Sequence, residues 1–84
     1  MKARALPTLQ EWEQFDGFAV SLQRLGWNPT HKADGPDARS WAFNREGISL
    51  WLVFDDLLGG SLKSEDAAVN LDTVAAQLEA SAAS

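Results

Sequence analysis

The chain has 84 residues, 45% of them hydrophobic and 23% charged, with a formal net charge of −5, the balance of one globular domain. It contains no cysteine, which excludes a disulfide scaffold, a thiolate metal site and a cysteine nucleophile. The longest unbroken apolar run, Leu50–Phe54, is far too short to span a bilayer. After Lys2 and Arg4, the polar residues Thr8, Gln10 and Glu11 interrupt any signal-like stretch. The expectation is a cytoplasmic, single compact domain over residues 1–84, with flexible ends at 1–7 and 80–84.

Thr8 followed by Glu11 has capping-box spacing, and Gly26 stands where a helix ends on a left-handed residue. Between them Leu9, Trp12, Phe15, Phe18, Ala19, Leu22 and Leu25 share one broad helical face. Gly17 is the weak point, costing about 1 kcal/mol relative to alanine inside a helix. Trp27 to Lys32 reads as a short strand, and Pro29, which cannot donate to a ladder, places it at a sheet edge. Ala33-Asp34-Gly35-Pro36-Asp37 is turn chemistry. Arg39 to Asn44 and Ile48 to Asp55 form a hairpin joined by Arg45-Glu46-Gly47, a loop suited to a type I turn with a bulge at the glycine. Gly59 to Ser64 reads as a flexible connection. A second helix follows, capped by Ser64 or Ser61, with Glu65 and Asp66 in its first turn and a stripe of Ala67, Leu71, Val74, Ala75 and Leu78.

This order predicts an α+β fold, a two-layer α-β-β-β-α arrangement with a three-stranded antiparallel sheet and two helices on one face. Ile48, Leu50, Leu52 and Phe54 face the helices, which leaves Trp51 and Val53 on the open side. With a three-residue loop Asn44 pairs with Ile48, and Trp41 and Phe43 join Trp51 and Val53 on that open face. A four-residue loop would send both aromatics into the core instead, because a one-residue slip turns every side chain over. The shorter loop is favoured by Gly47, and the resulting aromatic patch reads as a partner surface.

Catalytic chemistry finds little to build on. His31 could act as a base with Asp34 or Asp37, beside Ser40, but nothing in this turn-rich stretch holds the base in place. Asp55 and Asp56 are candidates for Mg²⁺, yet neighbours in an extended chain point to opposite faces and no third ligand is near. Gly59-Gly60-Ser61-Leu62-Lys63-Ser64 lacks the glycine that a phosphate loop needs before its Lys-Ser pair. The expectation is a non-enzymatic chain with no catalytic residues, no metal site and no cofactor.

Charge is unevenly spread. Residues 1–45 hold five acids and six bases, whereas residues 46–84 set Glu46, Asp55, Asp56, Glu65, Asp66, Asp72 and Glu79 against Lys63 alone. Such a second half repels a phosphate backbone, so direct nucleic-acid binding is not expected. The α-β-β-β-α order resembles that of the double-stranded RNA-binding domain. That family opens its last helix with a basic cluster, where this chain has Lys63-Ser64-Glu65-Asp66, so the resemblance implies the fold without RNA binding. In size and charge the chain is also similar to small inhibitors encoded by phages and mobile elements, anti-CRISPR proteins among them, some of which present carboxylates as phosphate mimics. The expected function is therefore a protein-binding module, an inhibitor or modulator that occludes a partner surface, with a nucleic-acid-binding complex as one kind of partner. Its partner-binding residues are Trp41, Phe43, Trp51, Val53, Asp55, Asp56, Glu65 and Asp66. The alternative is a homodimer that packs through the aromatic sheet face.

Overall fold

The computed structural model describes residues 2–82. In chain order it contains β1 (Lys2–Leu6), α1 (Gln14–Arg24), β2 (Asn28–Asp34), β3 (Ala38–Arg45), β4 (Ile48–Asp55), β5 (Gly59–Ser64) and α2 (Leu71–Ala82). The strands form one sheet in the order β1-β5-β4-β3-β2, antiparallel throughout. The helices touch each other, α2 lying over β1 and β5 and α1 against β2. The α+β class with two helices and an antiparallel sheet is as expected, but the sheet has five strands rather than three; residues of both helices share one core with Leu6, Trp41, Phe43, Leu50, Leu52 and Leu62.

The two additional strands escaped the hydrophobic pattern for different reasons. Only Leu6 of β1 is buried, so an apolar alternation never develops. Its helix-side residues are long cations: Lys2 Nζ donates to the Val69 carbonyl just before α2, and Arg4 pairs with Asp72 of α2 at 3.1 Å. The segment 2–6, expected to be a loose end, is thus an edge strand paired with β5 from Lys2↔Ser64 to Leu6↔Gly60. In β5, glycine and serine suggest a linker, yet each has a packing role. A Cβ on Gly60 would lie 2.4 Å from Leu9 Cδ2, so only glycine lets the 7–13 segment cross the sheet end. Ser64, fully buried, donates to the Ser49 carbonyl at 2.7 Å and accepts from the Asp66 N–H at 3.1 Å. It therefore ends a strand rather than capping a helix.

Helix α1 starts at Gln14, not at Thr8. The Thr8–Glu11 capping box does not form, because Gln14 Oε1 takes the N–H groups of Gln10 (2.8 Å) and Glu11 (3.0 Å), while Leu9 folds into the core. At the other end the expected glycine stop holds. Gly26 has φ +94°, its N–H reaches the Gln23 carbonyl and the Trp27 N–H reaches Leu22, both at 3.0 Å, which is a Schellman arrangement. The second helix begins after Asn70, whose Oδ1 accepts from the Thr73 N–H at 3.1 Å as an N-cap does. Leu71, Val74, Ala75 and Leu78 are buried as the stripe predicts, whereas Ala67 is exposed before the helix starts. Ala80 and Ser81, expected to fray, belong to α2; residues 83–84 lie outside the described residues.

The β3–β4 hairpin corrects the expected register. Its loop is Glu46-Gly47 alone, with φ values of 55° and 81°, closed by the Arg45↔Ile48 pair. Two positive φ angles make the primed two-residue turn whose twist matches the strands it joins. Trp41 therefore lies opposite Leu52, and Phe43 opposite Leu50. Both aromatics enter the core, at 9% and 0% exposure, and neither is on the open face. Pro29 stands on the edge strand β2 as expected, next to a register shift between Pro29 and His31 of the kind that blunts a sheet edge. Among the described residues no helix is long and apolar enough to cross a membrane.

Candidate functional site

Residues of both helices pack on one side of the sheet, and among the described residues nothing covers the other. The ladders set its residues in two rows across the five strands. One row reads His31, Ala42, Trp51, Lys63, Ala3; the next reads Ala33, Ser40, Val53, Ser61, Ala5. Trp51 and Val53 are half-buried in these rows as expected, and apart from His31 and Lys63 their neighbours are small. The result is a strip about 19 Å wide, four strand spacings, with one indole standing above alanines and serines. Shallow hollows flank Trp51. One, of about 310 Å³, is lined by Ser40, Trp51, Val53 and Lys63. The other, of about 500 Å³, runs from Gly47 and Ser49 past Trp51 to Glu65 and Asp66.

The four expected acidic residues do not converge. Asp55 and Asp56 sit at the start of the β4–β5 turn, and Glu65 and Asp66 follow β5, so a six-residue strand of about 17 Å separates the pairs. Two of the four carboxylates shape turns. Asp55 Oδ1 accepts from the N–H groups of Leu57 (2.8 Å) and Leu58 (3.2 Å), and Asp66 Oδ1 accepts from that of Ala68 (2.9 Å). Of the sequence-selected residues, Trp51 joins Val53 on the open face and reaches Glu65 and Asp66 along one hollow; Asp55 and Asp56 mark the opposite end, and Trp41 and Phe43 lie on the far side of the sheet.

His31 is exposed on the edge strand. Of its two candidate partners, Asp34 and Asp37, Asp34 is turned to the other face, where it stands opposite Arg39. Among the described residues no group of three or more His, Asp or Glu side chains is arranged to hold a metal ion. The basic residues are also dispersed: Lys2 and Arg4 lie on one edge strand, Lys32 on the other, and Arg39 is buried.

Two features carried no clear sequence signal. The first is Arg39, opposite Phe54 on the core face of β3 with only 10% of its side chain exposed. Its Nε donates to Asp34 at 2.9 Å and its Nη2 to Asp16 at 3.2 Å. The guanidinium lies 4.5 Å from the Phe15 ring centroid, 5.1 Å from Trp41 and 5.5 Å from Trp12. Trp41 Nε1 donates to the same Asp34 oxygen at 2.9 Å. That bond, with the one from Arg39, holds Asp34 below the usual carboxylate range. Burial works against the Arg39 charge, yet Asp34 and Asp16 outweigh it and raise the guanidinium pKa. A charge two residues from Trp41 on one strand face was the available clue. The second feature is Leu57 and Leu58, 93% and 87% exposed in the β4–β5 turn; two leucines between Asp-Asp and Gly-Gly are the pattern that marks them.

Comparison with protein-family models, curated proteins and solved structures finds no match to the chain.

Proposed function

We propose that the chain is a small, non-enzymatic protein-binding module that acts by covering a partner's surface. The observation that carries this reading is the open sheet face, lined mostly by small side chains and centred on Trp51. Small residues let a partner's backbone approach closely, and a central tryptophan is the residue type most enriched among interface hot spots. The inhibitor character expected from the acidic second half is part of the same proposal: occupation of a partner's working surface needs no chemistry of its own. Phosphate mimicry gains less support, since the acids stand at two ends of the β4–β5 hairpin rather than in one row.

The test is a tagged pull-down across a salt series, comparing the wild type with Trp51→Ala. A partner that survives high salt and is lost on Trp51→Ala supports docking through the face. A partner released by salt or competing DNA, with Trp51→Ala unaffected, replaces it with a carboxylate-based interaction. Recovery of the chain alone, with a mass that falls on dilution, assigns the face to a second copy instead.

A further inference from the structure

The β4–β5 turn carries the two most exposed large apolar side chains among the described residues, Leu57 at 93% and Leu58 at 87%. Nothing local asks for leucine there, since turn positions favour glycine, proline, asparagine, aspartate and serine for backbone reasons. The backbone is nonetheless well defined. Asp55 Oδ1 ties down both leucine N–H groups, and Gly59, at φ +79°, turns the chain into β5. The two side chains are thus displayed on a preset scaffold, which lowers the ordering cost of docking. Their surroundings are acidic. Asp55 and Asp56 adjoin them, and the Asp56 N–H donates to the Asp37 carbonyl at 3.1 Å, bringing the β2–β3 turn alongside. Among the described residues Asp37, Asp55 and Asp56 make no ion pair.

We infer that Leu57 and Leu58 form a second anchor at the turn end of the sheet, beside the open face, entering an apolar pocket edged by lysine or arginine on a partner protein. The inference rests on the protein-binding reading above and adds the anchor and the partner's chemistry. Charge selects this occupant over two others. An anionic membrane repels the three carboxylates, and a second copy meeting the tip about a two-fold axis sets like charges face to face.

A direct test titrates the isotope-labelled full chain with a helical peptide of leucine and lysine, whose apolar stripe is flanked by cations, and follows backbone amide shifts. The expected result is perturbation centred on residues 55–59, with binding at least tenfold weaker for the Leu57→Ser/Leu58→Ser double variant and for a glutamate counterpart of the peptide. The substituted side chains are exposed, and circular dichroism checks that the variant keeps its fold. Shifts centred on Trp51, Val53 and Lys63 would overturn the anchor while leaving docking through the sheet face standing. Equal affinity for the two peptides, or no binding at millimolar peptide, overturns it as well. So does association of the wild type but not the variant with phosphatidylglycerol vesicles, or a sedimentation mass that drops in the variant.

Discussion

Among the described residues Arg39 is the one long cation inside the core, and its environment explains why it is tolerated. Three aromatic rings supply their negative faces, and two aspartates on the rim take its N–H groups without being buried themselves. Arg39→Ala removes both bonds and opens a hole beneath Trp12, Phe15 and Trp41. Because the partner carboxylates remain in contact with water, the expected loss is about 2–3 kcal/mol, below that of a fully buried pair. For a domain of this size that is a fall in Tm of roughly 10–20 °C, readable by thermal denaturation. Arg39→Met, which keeps the apolar stem, should lose less. The same cluster sets a pH dependence. Asp34 titrates lower in the folded chain than its unfolded value of 3.8, so its stabilising effect is complete above that value and is lost as the pH falls through the folded one. Urea midpoints of wild type and Asp34→Asn should therefore differ by a constant amount near neutrality and converge in acid. A gap that stayed unchanged down to strongly acidic pH would show that the Asp34 charge plays no part.

Glycines at the level of elements do opposite things in α1 and β5. Nothing lies within 4 Å of a Cβ built on Gly17, so Gly17→Ala should stabilise the helix by about 0.5–1 kcal/mol and raise Tm by several degrees. Gly60→Ala should instead cost about 1–3 kcal/mol, since its Cβ meets Leu9 Cβ, Cγ and Cδ2 within 2.5 Å. The pair is a clean comparison by urea unfolding: one chemical change with two signs. These glycines also mark what could be read from the chain. The stop at Gly26, the edge position of Pro29, the inward face of Ile48, Leu50, Leu52 and Phe54, and the α2 stripe from Leu71 to Leu78 all follow local rules and are found in the fold. The strands β1 and β5 obey no local rule. One is dominated by cations that lean on a helix some 70 residues further along the chain, and the other by glycines and serines that serve Leu9 and Ser49. The hairpin register depended on whether Arg45 belonged to the loop, and Glu46 at φ 55° is a residue that sequence rules do not expect in a left-handed position. Half of the expected aromatic patch, Trp51 and Val53, survived that shift; Trp41 and Phe43 did not. Leu57 and Leu58 carry no local signal of exposure, because two leucines just past an apolar strand have the composition of core.

At the scale of the molecule, the N-terminal strand closes the sheet. It contributes the buried Leu6 and the full ladder to β5, and it supports α2 through Lys2 and Arg4. A chain beginning at Pro7 should therefore lose at least about 3 kcal/mol, from the burial of Leu6 and the ladder bonds together, with a broadened urea transition. An unchanged midpoint would mean that β1 merely decorates the edge.

The pairing of Lys2 with Ser64 also orders events in time. Of the five described strands β1 is made before the others, and the strand it pairs with, β5, after them. Until β5 emerges residues 2–6 have no strand to join, and the β3–β4 hairpin, whose partners adjoin in sequence, can form before the sheet is complete. The sheet's birth thus runs from its middle outward, and the earliest-made of its five strands is among the last to find its place.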